Sequence, residues 1–236
     1  MAPKDEKSPP ASNVQKPHGA AGVEIIFYTD PLCCWTWAMQ PQWKRMLADL
    51  EGRIPVMVKY KMGGLIPSWK HFNDAVNSIR KPVQMGPEWM HAKAVSGAQI
   101  NDRIWITDPP ASSFPACIAV KCVELQSPTM TADFLYMLQE AVMVRNLNIA
   151  MTEILLDCAS ALHARYPSFH LTRFKEQLLG EEGKEAFRKD LQECRYLNIT
   201  RMPAIRFKSS ENRSILLSGF QSYESLKNTC ASILEL

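Results

Sequence analysis

The chain has 236 residues, 46% of them hydrophobic, with 27 basic against 24 acidic residues and a net charge of +3. That apolar content supports one large core, and the scattered charges, without a basic stripe or aromatic-basic alternation, argue against a nucleic-acid surface. No apolar run approaches the roughly 18–20 residues of a membrane helix, and seven irregularly spaced cysteines fit a reduced, cytoplasmic protein better than a disulfide framework.

Residues 1–22, rich in Lys, Pro, Ser and Ala and lacking an apolar h-region, predict a disordered tail that is neither a secretory signal nor an anchor. Val23 to Thr29 is too apolar and β-rich for an edge and predicts a strand buried on both faces. Asp30-Pro31-Leu32-Cys33-Cys34-Trp35-Thr36-Trp37 then turns into an amphipathic helix from Trp37 to Glu51, its stripe marked by Met39, Trp43, Met46, Leu47 and Leu50. Alternation over Ile54 to Met62 predicts a second strand, completing a βαβ unit.

Gly63-Gly64 ends that strand. A loop-like stretch of some fifty residues follows, broken by Pro67, Pro82, Pro87, Pro109 and Pro110, and its Trp69, Trp89 and Trp105 predict a packed covering. Five helical patterns come next: Phe114 to Leu125, Thr131 to Asn146, Thr152 to Ala164, Leu171 to Leu179 and Glu182 to Cys194. Ala204 to Lys208 and Ser214 to Ser218 flank a turn and predict a hairpin, and Tyr223 to Leu234 a closing helix. The order βαβ, helical insert, hairpin and helix is that of a thioredoxin fold with an insertion between its halves.

Chemistry concentrates at Cys33, which stands where a strand gives way to a helix. The helix N-terminus and a Thr36 hydroxyl able to donate to the sulfur predict a pKa below the free-cysteine value of about 8.5. The plainer alternative is a buried, inert cysteine. A dithiol site needs a second cysteine three positions on, where this chain has Thr36. Cys34 is a secondary thiol candidate, but adjacent cysteines bridge only through a strained eight-membered ring. Trp35 and Trp37 either line a groove or pack the helix start. Gly63 and Gly64 either make a turn or let a ligand approach the backbone closely. Cys117, Cys122, Cys158, Cys194 and Cys230 suit the core, and five dispersed histidines offer no metal-ligand spacing.

The motif Asp30-Pro31-Leu32-Cys33-x-x-Thr36-Trp37, with Gly63-Gly64-Leu65 after the second strand and Thr200-Arg201-Met202-Pro203-Ala204 before the hairpin, resembles the DsbA-like branch of the thioredoxin superfamily, closest to its cytoplasmic bacterial members. The resemblance implies an α/β thioredoxin-like domain over residues 23–236, with a helical insertion at about 66–198 between the βαβ half and the C-terminal ββα half. It implies a cis bond before Pro203, with Met202 as its variable neighbour, beside the active-site turn, where Trp35, Trp37, Gly63 and Gly64 are the further substrate-binding candidates read from their positions. It also implies Cys33 as the catalytic thiol, and Thr36, the departure from the family's second cysteine, is a catalytic candidate only through its hydroxyl.

The implied function is that of a thiol-disulfide oxidoreductase reduced to one thiol, forming mixed disulfides with protein thiols or with glutathione as co-substrate, with no bound cofactor or metal and neither nucleic acid nor membrane as partner. Two alternatives stay open. One is a glutathione-dependent isomerase or transferase of the kappa type. The other is a non-catalytic adaptor that delivers a client to a cytosolic protease.

Overall fold

The apolar run Val23–Thr29 forms β1, and it is buried because it has a strand on each side. β2 (Val56–Met62) pairs with it in parallel and β3 (Ala204–Ser209) antiparallel, while β4 (Ser214–Ser218) completes a sheet of order β2-β1-β3-β4. The computed structural model describes residues 22–74 and 77–234. The expected tail, apart from Gly22, lies outside the described residues.

Side chains alternate across β1. Val23, Ile25 and Phe27 face the main core, whereas Ile26 and Tyr28 face a smaller cluster with Cys194 and Ala204. α1 (Cys34–Leu50) lays Trp37, Met39, Trp43 and Met46 into the main core, with the Phe27 and Trp43 rings 4.8 Å apart. The helix starts at Cys34, three residues before the expected Trp37. It also runs through Pro41, which deletes one helical N–H.

The stretch expected to be loop-like holds two helices, α2 (Met85–Ser96) and α3 (Ile104–Thr107), after a 3₁₀ turn at Pro82–Gln84. Gly86 and Pro87 hid α2 from the pattern, yet a proline in the first turn costs no hydrogen bond the helix would otherwise make. The tryptophans form the covering: Trp69 and Trp89 each stand edge-on to Trp105, with centroids at 5.9 and 5.1 Å.

Between the halves of the sheet domain stand also α4 (Phe114–Gln126), α5 (Thr131–Met143), α6 (Thr152–Arg165), α7 (Leu171–Leu179) and α8 (Glu182–Tyr196). α9 (Tyr223–Leu234) closes the chain. α8 is tied to β2 by Asp190, which is 1% exposed, accepts from the Met62 amide at 3.0 Å and pairs with Lys61 at 3.0 Å and Lys121 of α4 at 2.8 Å. Lys121 also pairs with Glu124. Among the described residues, no helix is long and apolar enough to cross a membrane.

Candidate functional site

The turn after β1 is built on Asp30, which is fully buried. One carboxylate oxygen accepts from the Leu32 amide at 2.8 Å. The other accepts from the Leu65 amide at 2.6 Å, the Ser113 hydroxyl at 2.7 Å and the Cys117 thiol at 3.2 Å. These four donors fasten the turn to the loop after β2 and to the start of α4. All four are formally neutral, so burial dominates and holds the Asp30 carboxyl above its ordinary range, against the pull of the hydrogen bonds.

Cys33 caps α1, with φ −77° and ψ 104°. Its amide donates to the Asp30 carbonyl at 2.9 Å, and its carbonyl accepts from the Thr36 and Trp37 amides at 3.2 and 3.3 Å. The residue is 4% exposed. Burial pushes its thiol up to about 11, opposed by hydrogen bonds from the Thr36 hydroxyl and the Thr36 and Trp35 amides and reinforced by the Asp30 charge. The expected depressed pKa is thereby overturned. The helix N-terminus and Thr36 do act on the sulfur, but desolvation is larger, and no cation is among the groups that set its pKa.

Thr36 stands where a resolving cysteine would be, fully buried, its hydroxyl oxygen accepting from Thr29 Oγ1 at 2.8 Å. That bond leaves the Thr36 proton free to point at Cys33. Cys34, 3% exposed, has its thiol pushed well up by burial and then by the charges of Cys33 and Glu88. Each of the seven cysteines is buried and free.

The two flanking tryptophans differ. Trp35 is half-buried, donates to Glu88 at 2.5 Å and stands edge-on to His91 and Phe220, with centroids at 5.2 and 5.9 Å. Phe220 in turn lines an open cleft of about 470 Å³ with Pro41, Arg45, Val95 and Tyr223. Trp37, expected at a groove, is instead 8% exposed, donating to the Gln99 carbonyl at 2.9 Å with its ring 5.1 Å from Tyr136. It packs α1 against the helical insert.

Met202–Pro203 is cis, as the resemblance implied, and Pro203 is buried. The Met202 side chain lies on Gly63, where a Cβ would come within 1.9 Å of its terminal carbon. Gly64 has φ +64° and is enclosed by Leu191, Phe114 and Phe187 at 2.9–3.0 Å from a notional Cβ. Gly64 is therefore required by its left-handed backbone and enclosure, whereas a Cβ at Gly63 would displace the flexible end of Met202. The structure thus brings together Cys33 with Thr36, and Met202 with Gly63, whose amide donates to the Thr29 carbonyl at 2.8 Å. Among the described residues, no group of His, Cys, Asp and Glu is arranged to hold a metal.

Read from sequence, Cys117 belongs to the core and Ser113 to a stretch that either rims a groove or leads rigidly into the next helix, and the sequence pairs neither with Asp30. Asp30 was visible as the first residue of the motif, but Ser113 and Cys117 lie 83 and 87 residues away, and nothing local marks them as its partners.

A family model described as Thioredoxin matches residues 26–228. The chain belongs to the thioredoxin family. The ClpXP adapter protein SpxH of Halalkalibacterium halodurans is 24% identical over 193 residues, which cover 82% of this chain and 61% of that protein. The chain thus spans about three fifths of that curated relative's length. Among solved structures, a putative protein disulfide isomerase from Nitrosomonas europaea superposes with a TM-score of 0.75 at 20% identity, covering 91% of this chain and 98% of that one. The cytosolic disulfide reductase DsbM from Pseudomonas aeruginosa with GSH gives 0.67 at 18%, covering 90% and 100%. These likenesses establish the DsbA-like thioredoxin fold expected from the motif.

Proposed function

We propose that this chain is a cytosolic protein-binding adaptor of thioredoxin fold, which presents a client protein to a protease partner, and that it does not exchange disulfides by two-thiol chemistry. One observation carries this reading: the Cys33 thiol is buried with its pKa pushed up to about 11, while the resolving position holds Thr36, pinned by Thr29. A neutral, shielded thiol is a poor nucleophile at neutral pH. The naming of a curated relative as a ClpXP adapter supports the same reading.

The test pairs two measurements on the full chain. Insulin reduction by dithiothreitol should not be accelerated by wild type or by Cys33→Ala, and immobilised ClpXP from the same organism should retain both equally. Accelerated insulin reduction that Cys33→Ala abolishes, with no retention by ClpXP, would overturn the adaptor reading.

A second reading rests on the opposite side of the same balance, since the Thr36 hydroxyl and the Thr36 and Trp35 amides pull the Cys33 pKa down against burial. They would stabilise a thiolate once formed, and such a site would take glutathione into a mixed disulfide for an external thiol to resolve. Intact-mass spectrometry after incubation with oxidised glutathione decides it. A single adduct on wild type that Cys33→Ser lacks supports this reading, and an unmodified chain ends it.

A further inference from the structure

The sheet has one face packed by α1 and α9 and a second face that α8 covers only at one end, through Tyr28, Cys194 and Ala204 with Leu197 and Ile199. The strand registers set out two further rows of that second face, the first still buried at its centre, where Ile26 is 6% exposed and belongs to the covered cluster. One row reads Lys59, Ile26, Arg206, Leu216 across the sheet, and the next reads Met57, Glu24, Lys208, Ser214. Met57 is 57% and Leu216 45% exposed, one on each edge strand. Between them stand three cations.

Among the described residues, the carboxylate in ion-pair reach of these cations is Glu24, which pairs with Lys59 at 2.5 Å and Lys208 at 2.9 Å and is held below its ordinary pKa by them, while Arg206 acts at longer range on Glu193. Arg206 reaches the Ser214 hydroxyl at 3.2 Å and has no ion pair among the described residues. The next cation along the face, Lys61, is already committed to Asp190 and Glu193 at 3.0 Å each. This surface therefore carries surplus positive charge, flanked by apolar side chains.

We propose that this open face is a docking surface for an acidic, extended segment of a partner protein. It gives the adaptor reading a contact surface and rests on that reading for the nature of the partner. Arg206 and Lys208 are two residues apart on one strand, so they repeat at about 7 Å, the spacing of same-side carboxylates along an extended peptide. Met57 and Leu216 supply the apolar border that a charge pair alone lacks. Two other occupants fit worse by charge. Residues 1–21 carry Lys4, Lys7 and Lys16 against Asp5 and Glu6, and a second copy would set like charges against each other.

The probe is a fluorescein-labelled decapeptide of alternating Glu and Thr, followed by anisotropy with the full chain, with a Lys-Thr decapeptide as control. Saturable binding of the Glu peptide alone is expected, weakened by added salt and weakened about tenfold by Arg206→Glu or Lys208→Glu. Lys93→Glu on α2 should leave it unchanged. Arg206→Gln and Lys208→Gln, each with an unaltered circular dichroism spectrum, guard against misfolding and should show a smaller loss.

The proposal is overturned if the Glu peptide fails to bind, if the Lys peptide binds equally, or if the charge-reversal variants bind like wild type. It is overturned too if deletion of residues 1–21 tightens binding about tenfold, or if sedimentation shows a dimer that Arg206→Glu dissolves, since the face would then belong to those occupants. Undiminished retention of Arg206→Glu by immobilised ClpXP, with any of these results, would discard the docking face and leave the adaptor reading standing.

Discussion

Two buried carboxylates join the sheet to the helical insert, and they are satisfied in opposite ways. Asp190 comes from α8 and meets two ammonium groups, Lys61 and Lys121, together with the Met62 amide. Asp30 comes from the end of β1 and meets two amides, a hydroxyl and a thiol. α4 contributes to both, through Lys121 in one case and through its first residues and their cap in the other. The difference explains the candidate site. The cations Lys61 and Lys121 gather around Asp190 of α8, and none is among the groups that set the Cys33 pKa and could favour a thiolate there.

Removing the charged node should have the larger effect. Asp190→Ala strands Lys121 beside Glu124 alone in a buried setting and strips the Met62 amide of its acceptor, so a loss of roughly 3–5 kcal/mol is expected. For a chain of this size that is a fall in melting temperature of roughly 6–20 °C. Calorimetry would show it. A loss under about 1 kcal/mol would mean that the node does not hold α8 to β2.

Asp30→Ala removes no ion pair but leaves several buried donors unpaired, and should cost roughly 2–3 kcal/mol. The sign of its pH dependence sharpens the contrast. Burial raises the folded-state pKa above the usual 3.8, so folding takes up a proton. The contribution is greatest below the unfolded value and is lost as pH rises through the folded one. The advantage of wild type over Asp30→Ala should therefore shrink as pH rises from 4 in urea titrations. An advantage that grows with pH would mean the carboxylate is stabilised as an anion.

The sequence made one node half-visible and the other invisible. The fold was legible because it rests on local periods: the alternation of β2, the stripe of α1 and the two-sided apolar run of β1 each follow from neighbours in the chain. α2 was not, since Gly86 and Pro87 read as breakers where the first helical turn tolerates them. At the site, Cys33 and Thr36 were legible from their place after a strand, and Met202–Pro203 from the motif before the hairpin. The strength of burial at Cys33 was not, because it depends on packing that brings together the β1 turn, the loop after β2 and α4. Trp37 shows the same limit: only the Gln99 carbonyl and the Tyr136 ring reveal that it faces the insert.

The thiol itself gives a smaller but more direct measurement. With its pKa pushed up to about 11, the Cys33 thiolate is scarce at neutral pH, and iodoacetamide labelling should climb about tenfold per pH unit from 7 to 10 without levelling. A thiol near 8.5 would level off within that range. Peptide mapping separates Cys33 from the other six. A plateau below pH 9 would restore the reactive-thiol reading.

The smallest effect expected isolates the Thr36 hydroxyl, which is the only side-chain donor among the groups that set the Cys33 pKa. Thr36→Val keeps the shape and removes the donor. The thiolate loses one hydrogen bond worth roughly 1.5 kcal/mol, so labelling of Cys33 at pH 9 should slow by about tenfold. Stability should fall by only about 1 kcal/mol, because the Thr29 hydroxyl loses its acceptor in the same change. Thr29→Val provides the control: it leaves the Thr36 donor in place, so it should match the stability loss while slowing labelling much less. If the two variants slow labelling equally, the Thr36 proton is not aimed at Cys33, and the threonine at this position is there to pack the turn.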